Sequence, residues 1–187
     1  MKNRRKLLVV SLSLLVIVAI TLLIFTTVER DRRSVAKHRA EMADTYAVFT
    51  PATEQNILAE VNAERAKVGV APLVLHPNIT KSAQLKADDM LNRGYRTHFL
   101  PEDPNATLTA EMYSYVEPIC SNSSENLMAS IDKNDVVRTT EGSMYAWMNS
   151  EPHRNAILNP DYTYTGIASS SDNTILVQHF CVARTNQ

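Results

Sequence analysis

The sequence predicts an α+β domain in which helices cover both faces of a small antiparallel sheet, preceded by one transmembrane helix. Three observations carry this reading. Leu7 to Val28 is an apolar run without charge, Pro or Gly. Beyond it, apolar residues recur at helical spacing in several segments. The C-terminal stretch Thr174 to Ala183 is apolar on both alternating faces, with Ile175, Val177 and Cys181 on one and Leu176, Phe180 and Val182 on the other. A strand with one wet face would alternate polar and apolar residues, so this one is expected at the centre of a covered sheet.

The first element is the membrane helix. At ~1.5 Å per residue, the 22 residues from Leu7 to Val28 span ~33 Å, matching a hydrocarbon core of ~30 Å. A cleavable signal peptide has an apolar stretch of only ~7–15 residues and ends in an A-x-A site. Phe25-Thr26-Thr27-Val28-Glu29 offers no such site, so the run reads as an uncleaved anchor. Residues 1–6 then form a basic cytoplasmic tail, 29–50 a charged juxtamembrane stalk, and 51–187 the folded domain. Basic residues flank the run almost evenly, so the positive-inside count does not orient it. Large downstream domains translocate largely regardless of charge, which favours a single-pass cell-membrane protein with its domain extracytoplasmic.

Charge separates the two halves. Residues 1–50 carry nine Lys/Arg against four Asp/Glu, and residues 51–187 ten against sixteen. A domain at net −6 is a poor partner for a phosphate backbone, and nucleic-acid binding is not expected.

Within the domain, Pro51 and Thr53 sit at a helix start, followed by Ile57, Leu58, Val61 and Arg65 at helical spacing and Gly69 as a stop. A second helix is expected from about Asn78 to Arg93, with Ile79, Ala83, Ala87, Met90 and Leu91 inward and Gly94 as its end. Tyr95 to Ser124 reads as irregular. A third helix is expected over Asn134 to Asn149, interruptible at Gly142, then a short turn or helix at His153 to Leu158. Tyr164 to Ser169 and Thr174 to Ala183 read as strands joined by the turn Ser170-Ser171-Asp172-Asn173.

Three motifs remain: Thr97-His98-Phe99, Ser124-Glu125-Asn126-Leu127, and the run from Ala146 through Trp147-Met148-Asn149-Ser150-Glu151-Pro152-His153-Arg154 to Asn159-Pro160. With the opening segment Ile57 to Met90, they resemble the CAP superfamily of cysteine-rich secretory, antigen 5 and pathogenesis-related proteins, in its short bacterial form. The resemblance covers about Glu54 to Ala183. It implies an α-β-α sandwich with a central groove, in which His98 and His153 are the cavity histidines and Glu125 the cavity glutamate. Ser150 and Glu151 are the nearest candidates for a further acidic position after the tryptophan, and Asn126 would support the Glu125 loop.

Two imidazoles and a carboxylate can bind Zn2+ or another divalent cation through His98 and His153, leaving a position open for water. They can equally form a hydrogen-bonded cluster without metal, and the spacing has no compact signature such as H-E-x-x-H. No G-x-S-x-G is present, and Ser121, Ser123, Ser124 and Ser150 read as turn formers or caps. A binding module for a lipid, cell-wall or protein ligand is therefore expected ahead of an enzyme. The rivals are a metal-assisted hydrolase and a structural surface adhesin. His179 reads as a hydrogen-bonded core or edge histidine, and His76 as a turn residue. The only cysteines, Cys120 and Cys181, are expected to form a disulfide in an oxidising compartment; two separate buried thiols are the alternative.

Overall fold

The computed structural model describes residues 20–34, 37, 52–130 and 139–185. The chain divides into two units, Met1–Val48 and Phe49–Gln187. In the first, residues 20–34 are helical (α1), so the helix continues past the expected end at Val28 into the expected stalk. The predicted tail 1–6, the first part of the anchor and most of the stalk lie outside the described residues. Among the described residues no helix is long and apolar enough to cross a membrane.

The second unit runs α2 (Glu54–Lys67), β1 (Val74–Leu75), α3 (Pro77–Arg93), α4 (Ala110–Val116), β2 (Cys120–Ala129), α5 (Thr140–Asn149), α6 (Glu151–Leu158), β3 (Tyr164–Ser169) and β4 (Ile175–Ala183). Local chemistry sets the helix ends. Thr53 caps α2 by accepting from Asn56 N–H. His76 caps α3 through Nδ1, with Pro77 just inside, where its missing N–H costs no hydrogen bond. Gly94 closes α3 at φ 72°, a left-handed conformation that glycine adopts without strain. Gly142 does not break α5: its N–H bonds to the Thr139 cap, so it lies in the first turn.

The sheet order is β1-β3-β4-β2, and β4 is central as its two apolar faces require. β4 pairs antiparallel with β2 and β3. The purely antiparallel expectation needs correcting, because the two-residue β1 pairs parallel to β3. β2 was also unforeseen. Ser121, Asn122 and Ser123 in its first half are polar and exposed, so it lacks the apolar alternation that marks a strand. α4 likewise falls in the stretch expected to be irregular.

Helices cover both faces. On one, Ile57 and Val61 of α2, Trp147 of α5 and Ile157 of α6 pack with Ile167, Leu176 and Phe180. On the other, Ala83, Ala87 and Met90 of α3 pack with Leu127, Ala168 and Val177. Ile79 and Val116 extend that second layer over Cys120 and Cys181. All three clusters lie within Phe49–Gln187, so this unit has a hydrophobic core of its own.

Two contacts fix the layers. A Cβ at Gly166 would fall on backbone atoms of Ile79 and Thr80, so glycine lets α3 lie directly against β3. Arg65 is fully buried and donates to the carbonyls of Ala71, Ile157, Asn159 and Tyr162, tying α2 to the end of α6.

Candidate functional site

The expected disulfide is present between Cys120 and Cys181, with Cα atoms 5.3 Å apart. Ser123 pairs with Cys181, but the register shifts between Cys120 and Asn122 so that Cys120 pairs with Ala183. Side chains alternate along a strand, and the extra residue at this bulge turns Cys120 to the face that carries Cys181.

The same register builds the site. Glu125 stands opposite His179 in the β2–β4 pair, so both side chains share the α3-covered face. His98 comes from the segment after α3. His98 Nδ1 lies 2.7 Å from Glu125 Oε1, and His179 Nε2 lies 3.0 Å from Glu125 Oε2. One carboxylate thus bridges two imidazoles. Glu125 sits on a strand, not on the loop expected from the sequence.

Burial of Glu125 raises its pKa, but the hydrogen bonds from His179 and His98, aided by the nearby positive charge of Lys86, outweigh that and hold it at about 2. It is ionised at neutral pH, so each facing ring nitrogen donates to it.

His153 is the third residue of α6. Its Nδ1 lies 2.8 Å from Ser150 Oγ, and its ring centre is 6.3 Å from that of His98. Burial and the neighbouring His98 both lower its pKa. Asn126 donates from Nδ2 to the His153 carbonyl at 3.1 Å, and so supports the site structurally. Glu151 is exposed at the start of α6; no hydrogen bond or ion pair among the described residues joins it to the histidines.

Two residues belong to the site that the sequence did not assign to it. His179 was expected as a hydrogen-bonded core or edge histidine; it is in the core, at 3% exposure, and it completes the cluster. Lys86 is fully buried on α3 and donates from Nζ to the carbonyls of His98 and Thr107, at 2.6 and 2.7 Å. It pins the segment that carries His98. Its place beside Ala83 and Ala87 on the inner helix face was the signal available.

A cavity of about 340 Å3 opens on this cluster. His98, Glu125 and His179 form its polar side, and Phe99, Leu108 and Val116 an apolar side. Among the described residues no three His, Cys, Asp or Glu side chains are grouped to hold a metal ion. Both oxygens of Glu125 already accept from imidazoles, so Glu125 itself fits a hydrogen-bonded cluster better than the role of metal ligand.

Residues 58–183 match the model of the cysteine-rich secretory protein (CAP) family. The chain is 32% identical over 129 residues to the protein YkwD of Bacillus subtilis, covering 69% of this chain and 47% of YkwD; it thus spans about half of that relative's length. An outer surface protein of Borrelia burgdorferi superposes with TM-score 0.57 at 21% identity, over 70% of this chain and 92% of the other. An extracellular protein of Bacillus anthracis containing an SCP domain superposes with TM-score 0.55, also at 21% identity, over 68% of this chain and 39% of its own. These structural likenesses bear on the fold. With the match spanning α2 to β4, the chain belongs to the cysteine-rich secretory protein (CAP) family.

Proposed function

We propose that this chain is a membrane-tethered, extracytoplasmic CAP domain acting as a binding module for a lipid, cell-wall or protein ligand. The observation that carries the reading is the cavity, which joins an apolar wall to a polar side where Glu125 bridges His98 and His179. Ligand pockets combine mostly apolar lining with a few fixed polar groups. Support for the location comes from the disulfide, which persists in oxidising compartments, and from structural relatives described as extracellular and outer-surface proteins. The Leu7 to Val28 run supplies the tether, with the N-terminus inside.

Binding is favoured over hydrolysis because, among the described residues, no serine hydroxyl hydrogen-bonds to His98, the more exposed of the two imidazoles that Glu125 orients. The triad arrangement needs a nucleophile on that ring.

The test uses the unit Phe49–Gln187, incubated separately with lipid vesicles, solubilised wall fragments and cell-surface proteins. Saturable retention of one class, reduced at least tenfold by His98→Ala, is expected. Retention of none, or stoichiometric metal with ester turnover, contradicts the proposal.

A further inference from the structure

β1 and β2 are the two edges of the sheet, and β1 carries unpaired main chain. Val74 N–H donates to the Thr163 carbonyl and His76 N–H to that of Thr165, so these two residues turn their main chain toward β3. The direction alternates along a strand, and Leu73 and Leu75 turn theirs outward. At Leu73 the outward groups are met. Asn62 on α2 donates from Nδ2 to the Leu73 carbonyl at 3.0 Å, and its Oδ1 accepts the Leu73 N–H at 2.8 Å. A side-chain amide thus stands where a neighbouring strand would place a peptide group. Two residues on, no protein group among the described residues meets the N–H or the carbonyl of Leu75.

A groove of about 500 Å3 opens beside Leu75, lined further by Glu54, Pro77, Thr80, Lys81 and Gln84. Most of its polar groups are engaged. Thr80 Oγ1 donates to Glu54 Oε1, and Gln84 Nε2 donates to Asp88 and to the Ser169 carbonyl. Glu54 also lies in the first turn of α2, where the positive end of the helix stabilises a carboxylate. Lys81 is exposed, and no hydrogen bond or ion pair among the described residues engages its ammonium. The unanswered charge of the groove is therefore positive. Val74, 56% exposed, presents a bare apolar side chain on the same edge, of the kind a cross-strand neighbour covers.

We propose that β1 is a docking edge for a short extended peptide segment carrying one acidic residue. The segment adds as a strand, its main chain pairing with the Leu75 N–H and carbonyl, and its carboxylate meets Lys81. Asn62 closes the edge at Leu73, and the chain leaves the sheet at Pro77 to begin α3, so few residues can pair. A long acidic stretch is disfavoured, because residues 51–187 carry ten Lys/Arg against sixteen Asp/Glu and repel it. This site is separate from the cavity at Glu125, which lies against the other edge strand.

The experiment titrates the 15N-labelled unit Phe49–Gln187 with the peptide acetyl-Thr-Val-Glu-Val-Thr-amide. Two further forms are N-methylated at alternate residues, one on each edge of the extended chain, and a third has Gln in place of Glu. The expected result is saturable binding that, at about ten times Kd, slows hydrogen exchange at the Leu75 N–H about tenfold. One methylated form should bind roughly tenfold weaker and the other as the parent does, because a strand pairs through one edge. The Gln form, and the parent against Lys81→Gln, should each bind about twofold to fivefold weaker, as for an exposed ion pair. His98→Ala should bind the peptide as the wild type does. Equal loss with both methylated forms, unchanged Leu75 exchange, equal affinity of the Glu and Gln forms, or weaker binding to His98→Ala overturns the proposal. So does the absence of binding at millimolar peptide.

Discussion

His179 Nε2 and Glu125 Oε2 meet at 3.0 Å across the β2–β4 pair, where their Cα atoms are register partners. The pairing of two strands therefore sets the chemistry of the cavity floor.

Glu125 should make the domain acid-sensitive in a defined window. Its folded pKa, about 2, lies below the ordinary value of 4.5, so the unfolded chain binds more protons between these limits and stability rises with pH there. The contribution, on the order of 3 kcal/mol, is complete above pH 4.5 and lost as pH falls toward 2. Urea denaturation from pH 6 to pH 2.5 should show this slope in the wild type and its absence in Glu125→Gln.

Lys86 should hold the His98 segment in place. Lys86→Met leaves two carbonyls without their donor, which costs about 2–4 kcal/mol. Hydrogen exchange should accelerate over residues 98–107 more than over β4. Uniform acceleration across the domain would count against a local positioning role.

Gly166 should tolerate no side chain. Gly166→Ala drives a methyl group into the backbone of Ile79 and Thr80, and overpacking of this kind costs about 1–3 kcal/mol. A lowered urea midpoint is the readout; unchanged stability would mean that α3 does not lie against β3 as described.

The Cys120–Cys181 bridge has a sequence separation of 61, and constraining a loop of that length in the unfolded chain stabilises by roughly 4 kcal/mol. Reducing agent should lower Tm, and Cys120→Ala with Cys181→Ala should remove the difference. Two titratable thiols in the unreduced, denatured protein would contradict the bridge.

How legible the fold was depended on how its elements are made. α2, α3 and β4 were readable because burial drives them and leaves a period, as in Ile57 with Val61 or Ile175 with Val177. β2 was not, since Ser121, Asn122 and Ser123 face outward and its pairing with β4 is a long-range choice. That hid the strand position of Glu125, although the motif identified the residue itself. β1 is too short to show a pattern. His179 looked like a core residue because it is one; only cross-strand register puts it against Glu125. Lys86 was obscured because a buried lysine is rare unless partnered, and its partners are carbonyls, which carry no sequence signal. Glu151 was placed by its distance from Trp147, but its position at the start of α6 exposes it.

The central claim is that Glu125 is an ionised acceptor clamped between His98 and His179. The most direct measurement follows the 13Cδ resonance of Glu125 from pH 7 downward while the amide spectrum remains native. The account predicts a carboxylate still ionised at pH 3.5, consistent with a pKa of about 2. A midpoint at or above 4.5 would contradict it.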